Sequence, residues 1–266
     1  MKKALIIILL LIVCICTYIT FHAYQYYAPP QLRQPYKIPN HNNHDDTLRI
    51  AYIGDSWAYL HNCHNCKITQ IIEDSIHHPA SVHSFGICGL TSKEIYNALF
   101  DDSNFKRFMQ NGGYDYCFVS AGINDTYKKM STTYYKKSME GIIDFLLANH
   151  IHPIILEVPD YDIFKAYENQ KIDRKMLRQI SMLINNTDVD CKQLYRDILD
   201  SLLTHKEYHD KVHIIRHKFW NEDHLNTLHQ LYASDGMHLN NRGYAILDSM
   251  IANAIITNFH YNYETK

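Results

Sequence analysis

The chain has 266 residues, 46% of them hydrophobic, which is enough apolar material for one large packed domain or two small ones. Its 26 basic and 28 acidic residues nearly balance, for a formal net charge of -2 at pH 7. No long block of lysine and arginine stands out, so nothing in the composition asks for nucleic acid as a partner. The composition therefore predicts a globular protein.

An uncharged apolar run extends from Ala4 to Phe21, directly after Lys2 and Lys3. As a helix it reaches about 27 Å, close to the thickness of a bilayer's hydrocarbon core. The two lysines predict a cytoplasmic amino end and an extracytoplasmic remainder, either periplasmic or at the cell surface. We interpret residues 1–23 as a signal anchor that makes this a single-pass membrane protein. A cleaved signal peptide, giving a secreted protein, is the alternative.

The next segment, residues 24–46, holds four of the seven prolines and shows no apolar period. Such a composition predicts an extended linker between the membrane segment and the rest of the chain. The folded domain is then expected over residues 47–266, a length that suits a single α/β unit.

Five short apolar runs alternate with helical patterns along this domain and predict β-strands. They are Leu48–Ile53, Ala80–Phe85, Tyr114–Ala121, His152–Val158 and Val212–Ile215. Strands separated by helices pair in parallel through right-handed crossovers, so we expect a doubly wound sheet with its ligand at the carboxyl ends of the strands. Thr91 and Glu94 have capping-box spacing and predict a helix over Ser92–Phe100, and a last helix is expected after Asn241.

A serine follows the first predicted strand directly, in Gly54-Asp55-Ser56. At this position a hydroxyl is open to a ligand and lies near helix N–H groups that favour negative charge. By itself the tripeptide is also typical of an ordinary turn. Ser56 is therefore a candidate nucleophile only if partners lie near it.

Candidate partners follow the second and third strands and precede the last helix. The backbone N–H of Gly89 and the side-chain amide of Asn124 are placed to donate to a developing oxyanion, although both residues are also typical of turns and caps. Asp235 and His238 lie three residues apart in a turn. The carboxylate can hold the imidazole Nδ1–H, which leaves Nε2 to take the serine proton.

In order and placement these four blocks resemble the SGNH hydrolase superfamily, the GDSL-like lipases and esterases. The resemblance implies a three-layer α/β/α sandwich of flavodoxin type, with a mostly parallel five-stranded sheet and no metal or organic cofactor. It also implies Ser56 as nucleophile, His238 as base, Asp235 as the residue that orients it, and an oxyanion hole made by Ser56, Gly89 and Asn124.

One position departs from the family pattern, because Trp57 stands where the family's common name has leucine. This residue is expected to shape the pocket or to pack the following helix, which leaves the acyl preference open.

The resemblance implies a serine esterase, a carboxylic ester hydrolase, acting on a small-molecule or carbohydrate ester. We favour an O-acetyl group on a cell-envelope or extracellular carbohydrate as substrate. An envelope O-acyltransferase with the same triad is one alternative, and a non-catalytic module that binds glycan or protein on the same fold is another. The sequence leaves the acyl chain length and the oligomeric state open.

Four possible metal ligands crowd one segment after Ser56: His61, Cys63, His64 and Cys66. Structural zinc normally needs a second ligand pair, and none is evident. A local Cys63–Cys66 disulfide and a plain reduced pair are therefore both favoured over zinc.

Overall fold

The computed structural model describes residues 2–39, 46–64, 66–168, 170–216 and 230–264. Within these ranges, one parallel sheet is covered by helices on both faces, which confirms the predicted fold class. The strands are β1 (Leu48–Gly54), β2 (Ala80–Gly86), β3 (Tyr116–Ser120), β4 (His152–Leu156) and β5 (His213–Ile215). The helices are α1 (Lys2–Tyr27), α2 (Ser56–His61), α3 (Ile68–Ile76), α4 (Ser92–Asp101), α5 (Ser103–Gly112), α6 (Ile123–Lys128), α7 (Thr132–Ala148), α8 (Ile163–Glu168), α9 (Ile172–Asn185), α10 (Lys192–Leu203) and α11 (Asn241–Glu264).

The strand order is β2-β1-β3-β4-β5, and every neighbouring pair is parallel. The winding therefore reverses at β1, which opens a crevice at the carboxyl ends of β1 and β3. In the register, Gly54 lies opposite Gly86 on one side and Ser120 on the other, so the three strands end level. A Cβ on Gly54 would come 2.3 Å from the Ser120 carbonyl oxygen, so only glycine fits where the two strands approach.

Two apolar cores lie on the two faces of the sheet. On one face α2, α3 and α11 pack through residues such as Trp57, Ile72 and Leu247. On the other face α4, α5, α7 and α10 pack through residues such as Leu99 and Ile142. The predicted α4 is present with its capping box, since Thr91 accepts from the Glu94 N–H and the Glu94 side chain accepts from the Thr91 N–H.

The amino-terminal helix contains a stretch, Ile6–Tyr27, that is long and apolar enough to cross a membrane. Residues 28–39 after it form neither helix nor strand, and they contact the domain. Arg33 makes a two-pronged ion pair with Asp101 at 2.6 and 2.9 Å, and the Ile38 N–H donates to Asn149. Residues 40–45 of the predicted linker lie outside the described residues.

Candidate active site

Three of the predicted residues meet at the carboxyl edge of the sheet. The Oγ atom of Ser56, the first residue of α2, lies 3.0 Å from Nε2 of His238, and Nδ1 of His238 lies 2.6 Å from Oδ2 of Asp235. Since Nδ1 faces a carboxylate, it carries the ring proton, and Nε2 is left to accept the serine O–H. The arrangement is that of a nucleophile, a base and the carboxylate that orients the base.

The turn that carries Asp235 and His238 is held by its own backbone. The second carboxylate oxygen of Asp235 accepts from the N–H groups of Met237 and His238, at 2.9 and 3.0 Å. Partial burial acts to raise the pKa of Asp235, but the hydrogen bonds from His238 and from these N–H groups outweigh it and lower the pKa. Asp235 is thus a charged partner that can stabilise an imidazolium.

The family departure at Trp57 has a structural role. Its ring is fully buried, and its indole Nε1–H donates to the Met237 carbonyl at 3.1 Å. Tyr244 of α11 in turn donates its hydroxyl to the Trp57 carbonyl. Trp57 therefore packs α2 and also ties the nucleophile's helix to the turn that carries the base.

The carboxylate of Asp55, immediately before the nucleophile, joins two parts of the site. One of its oxygens accepts from the Trp57 N–H and so caps α2, and the other accepts from the Asn124 side-chain amide at 3.1 Å. Burial raises the pKa of Asp55 to about 7, although these hydrogen bonds and nearby His238 oppose the shift. Asn124, on α6, is thereby fixed beside the residue that precedes Ser56.

Gly89 lies in the loop after β2 and has a φ of +79°, which favours glycine. A Cβ built on it would meet nothing within 4 Å, so space is open above this backbone. Its carbonyl accepts from Lys128 at 2.7 Å, which ties the loop after β2 to α6. The loop that carries the candidate donor, the Gly89 N–H, is therefore held against α6.

A second buried carboxylate ties the loops after β2 and β3 together. Asp125 accepts from the Ser92 N–H at 2.8 Å and from the Ser92 hydroxyl at 2.5 Å. Burial raises the pKa of Asp125 to about 6 against the effect of these bonds. Because Asp125 adjoins Asn124, and Ser92 follows the Gly89 loop, these bonds fix the two candidate oxyanion donors relative to each other.

A possible metal-ligand group lies elsewhere, between α2 and α11. His61, Cys66 and Asp248 each offer one ligand atom, and these atoms lie within 4.8 Å of one another. His61 Nε2 already contacts Asp248 at 2.8 Å, and the other Asp248 oxygen accepts from the Lys67 N–H. The structure therefore groups His61 and Cys66 with Asp248, and not with the neighbouring Cys63 and His64. Cys63 and Cys66 are both free thiols.

Comparisons with known proteins give a curated relative that matches part of the chain and solved structures that match most of it. No family model matches the chain. It is 27% identical over 179 residues to an N-acylneuraminate cytidylyltransferase of Escherichia coli, a match that covers 65% of this chain and 35% of that protein. The chain thus spans about a third of the length of this curated relative.

Solved structures resemble the domain more completely. A GDSL-like lipase from Bacteroides thetaiotaomicron is 16% identical, with 79% of this chain and 88% of that chain covered and a TM-score of 0.52. For an acetyl xylan esterase the identity is also 16%, the coverage 79% and 100%, and the TM-score 0.52. The domain therefore has the fold of the SGNH hydrolases, as the sequence blocks predict.

Sequence reasoning did not give Asp55, Asp125 and Ser92 a role in the site. All three lie within the four sequence blocks. Asp55 precedes Ser56, Asp125 follows Asn124, and Ser92 lies three residues after Gly89. A signal was present, because a carboxylate next to each of two strand-end polar residues must find a partner if the strand ends are buried. Which partner it finds depends on the fold, since Ser92 and Asp125 are 33 residues apart.

Proposed function

We propose that the domain is a serine ester hydrolase that works through an acyl-enzyme on Ser56. The observation that carries this proposal is the continuous hydrogen-bonded line from the Ser56 hydroxyl through His238 to Asp235, at 3.0 and 2.6 Å. A serine hydroxyl is a weak nucleophile unless a base takes its proton, and this line supplies the base in the required tautomer.

In the first half of the reaction, Ser56 Oγ attacks the ester carbonyl carbon while His238 Nε2 takes the hydroxyl proton. The imidazolium that forms is stabilised by Asp235 and, when it is ionised, by Asp55. The tetrahedral intermediate then collapses, His238 gives the proton to the leaving alcohol, and an acyl-serine remains. In the second half, water attacks the acyl-serine while His238 Nε2 takes its proton. His238 then gives this proton to Ser56 Oγ as the acid leaves, which restores both the serine and the neutral base.

In this proposal three hydrogen-bond donors stabilise the negative charge of the tetrahedral oxygen. They are the N–H groups of Ser56 and Gly89 and the side-chain amide of Asn124. Asn124 gives one of its two amide hydrogens to Asp55, and the other is available to the oxyanion. Donors already fixed by Asp55, Asp125 and Lys128 need no reorganisation when charge develops, which is the condition for effective transition-state stabilisation.

As substrate we propose an O-acetyl group on a carbohydrate. The name of one fold neighbour is acetyl xylan esterase, and the curated relative is named for N-acylneuraminate, an acidic sugar. Neither likeness carries a substrate over by itself, but together they make O-acetylated N-acylneuraminate the first carbohydrate to test.

We also propose that α1 anchors the chain in a membrane with the domain on the extracytoplasmic side. The apolar stretch Ile6–Tyr27 and the two lysines before it support this orientation. The substrate would then be a carbohydrate of the cell envelope or the cell exterior.

The test is to incubate the detergent-solubilised full chain with p-nitrophenyl acetate, with O-acetylated N-acylneuraminate and with acetylated xylan, and to measure free acetate. Release from all substrates by the native chain and from none by Ser56→Ala is the expected result. Turnover of p-nitrophenyl acetate without release from either sugar would contradict the carbohydrate assignment. Transfer of the acetyl group to an added oligosaccharide, in place of free acetate, would make the chain an acyltransferase.

A further inference from the structure

Helix α9 is amphipathic, but its apolar side faces away from the domain. Leu183, Ile172 and Ile184 are 83%, 77% and 73% exposed, and Met176, Leu177 and Ile180 lie on the same exposed side. The residues that α9 buries are polar, namely Arg178 and Ser181. A surface helix of a globular protein shows the reverse pattern, so this apolar face calls for something to cover it.

The polar side of α9 is firmly attached to the domain. The Arg178 guanidinium lies 3.6 Å from the ring centre of Tyr167 and 4.5 Å from that of Tyr127. These aromatic contacts fix the rotation of the helix. The outward direction of the apolar face is therefore built into the packing.

The end of α1 lies against the same helix. The Tyr27 hydroxyl is 2.9 Å from the Ser181 hydroxyl, and the Lys93 ammonium donates to the carbonyls of Gln25 and Ala28 at 2.7 Å each. A cleft of about 520 Å³ separates the remainder of this end from α9. The candidate membrane span thus leaves the domain beside α9, and Leu177 of the apolar face lines the same cleft.

The charges around this face are mostly basic. Lys171, Arg174 and Lys175 are exposed at the start of α9, against the single acidic residue Asp173 within the helix. Phe164 of the preceding α8 adds a further exposed apolar side chain. An apolar face bordered by lysine and arginine is the chemistry of a helix that lies in the interface of a bilayer with anionic lipids.

We propose that α9 lies in the interface of the bilayer that α1 crosses, with its apolar face among the acyl chains and its basic residues at anionic headgroups. This proposal rests on the membrane anchoring of α1. Its consequence concerns the active site, because the Asp162 N–H just before α8 donates to the Gly236 carbonyl in the catalytic turn at 2.9 Å. Contact through α9 would hold the turn with Asp235 and His238 close to the membrane surface, where carbohydrate attached to lipid is presented.

The experiment adds one tryptophan at a time to the full chain, which already contains two, reconstituted in vesicles of phosphatidylcholine and phosphatidylglycerol. The variants are Leu183→Trp and Ile172→Trp on the apolar face and Asn111→Trp at the exposed end of α5. Phosphatidylcholine brominated on the upper part of its acyl chains quenches only a tryptophan that touches them. We expect bromolipid to cause a loss of emission at positions 183 and 172, relative to the unsubstituted chain, and no loss at position 111.

A fourth variant, Val13→Trp in α1, separates failure of the anchor from failure of the α9 contact. Quenching at position 13 with none at 183 and 172 would overturn the proposal and leave the anchor intact. A blue-shifted emission at position 183 without quenching would show that protein, such as a second copy of the chain, covers the face, and would equally overturn it. No quenching at position 13 would overturn both the anchor and the α9 contact.

Discussion

Two Ser–His–Asp groups lie among the described residues of the domain, and they are alike in their distances but not in their surroundings. In the first, His238 lies 3.0 Å from Ser56 and 2.6 Å from Asp235. In the second, His61 lies 2.8 Å from Ser84 and 2.8 Å from Asp248. Distances between the three side chains therefore do not distinguish a candidate catalytic group from a structural one.

Burial and position distinguish them. His61 and Asp248 are 2% and 1% exposed, whereas the side chain of Asp235 is 48% exposed. Burial acts to lower the pKa of His61, but the hydrogen bond to Asp248 prevails and the pKa rises to about 9, so at neutral pH this ring is already protonated and cannot act as a base. Ser84 also lies within β2, opposite Tyr52, while Ser56 begins a helix at the edge of the sheet.

The largest expected effect tests directly whether the two groups differ in function. Ser56→Ala should lower the turnover of p-nitrophenyl acetate by roughly 10³-fold or more, because it removes the only atom that can form the proposed acyl-enzyme. Ser84→Ala is the matched control and should keep native turnover. Comparable losses in the two variants would mean that the second group takes part in catalysis.

The next effect concerns the oxyanion donors, which the second group is not expected to use. Asn124→Ala should lower kcat by about 100-fold with little change in KM, since the donor acts mainly on the transition state. Asn149→Ala is the control, because the Asn149 side-chain amide is also a hydrogen-bond donor, but to the carbonyls of Tyr36 and Phe145 and not to a residue of the site. A rise in KM with unchanged kcat would assign Asn124 to substrate binding instead.

A smaller effect is expected at Asp55. Its pKa of about 7 means that it gains its charge as the pH rises through 7, and that charge favours the imidazolium of His238. Asp55→Asn should lower kcat/KM roughly tenfold above pH 7 and much less below pH 6. Below pH 6 the native Asp55 is protonated, so that it is as uncharged as the asparagine that replaces it. The check is the pH profile of kcat/KM for both proteins, and parallel profiles would be the contrary outcome.

The smallest effect on turnover is expected at the second group, where stability changes instead. The folded-state pKa of His61 lies above its usual 6.5, so the pair with Asp248 contributes its full stability below about pH 6.5 and loses it as the pH rises through about 9. His61→Gln should cost about 3 to 5 kcal/mol, because it leaves a buried carboxylate unpaired. Turnover of the folded protein should stay near the native value.

Denaturant unfolding of the detergent-solubilised chain across this pH range checks the prediction. The native chain should lose stability between pH 6.5 and 9, and His61→Gln should show a flatter dependence. An equal pH dependence in both proteins would place the titrating group elsewhere.

Much of this architecture could be predicted from the sequence. The alternation of apolar runs with helical patterns predicted the five strands, and the fold comparisons confirm the class of fold. The order of the sequence blocks, three after strands and one before the last helix, predicted that Ser56, Asp235 and His238 would lie together, and the structure brings them together. Local pattern sufficed here because parallel strands bring their carboxyl ends to one edge.

What could not be predicted depends on contacts between distant parts of the chain. His61 and Asp248 are 187 residues apart, and with zinc disfavoured the sequence around His61 predicted no partner for it. Likewise, the sequence of α9 shows an amphipathic helix but not which side faces the domain. That side is decided by the stacking of Arg178 on Tyr167 and by the end of α1.

The most direct test of Ser56 as the nucleophile is to react the full chain with a fluorophosphonate and to locate the adduct by peptide mass spectrometry. Such a probe bonds covalently to a serine whose proton is taken by a neighbouring base. We expect one adduct, on Ser56, that is lost in Ser56→Ala and in His238→Gln and kept in Ser84→Ala. An unlabelled chain, or an adduct on Ser84, would contradict it.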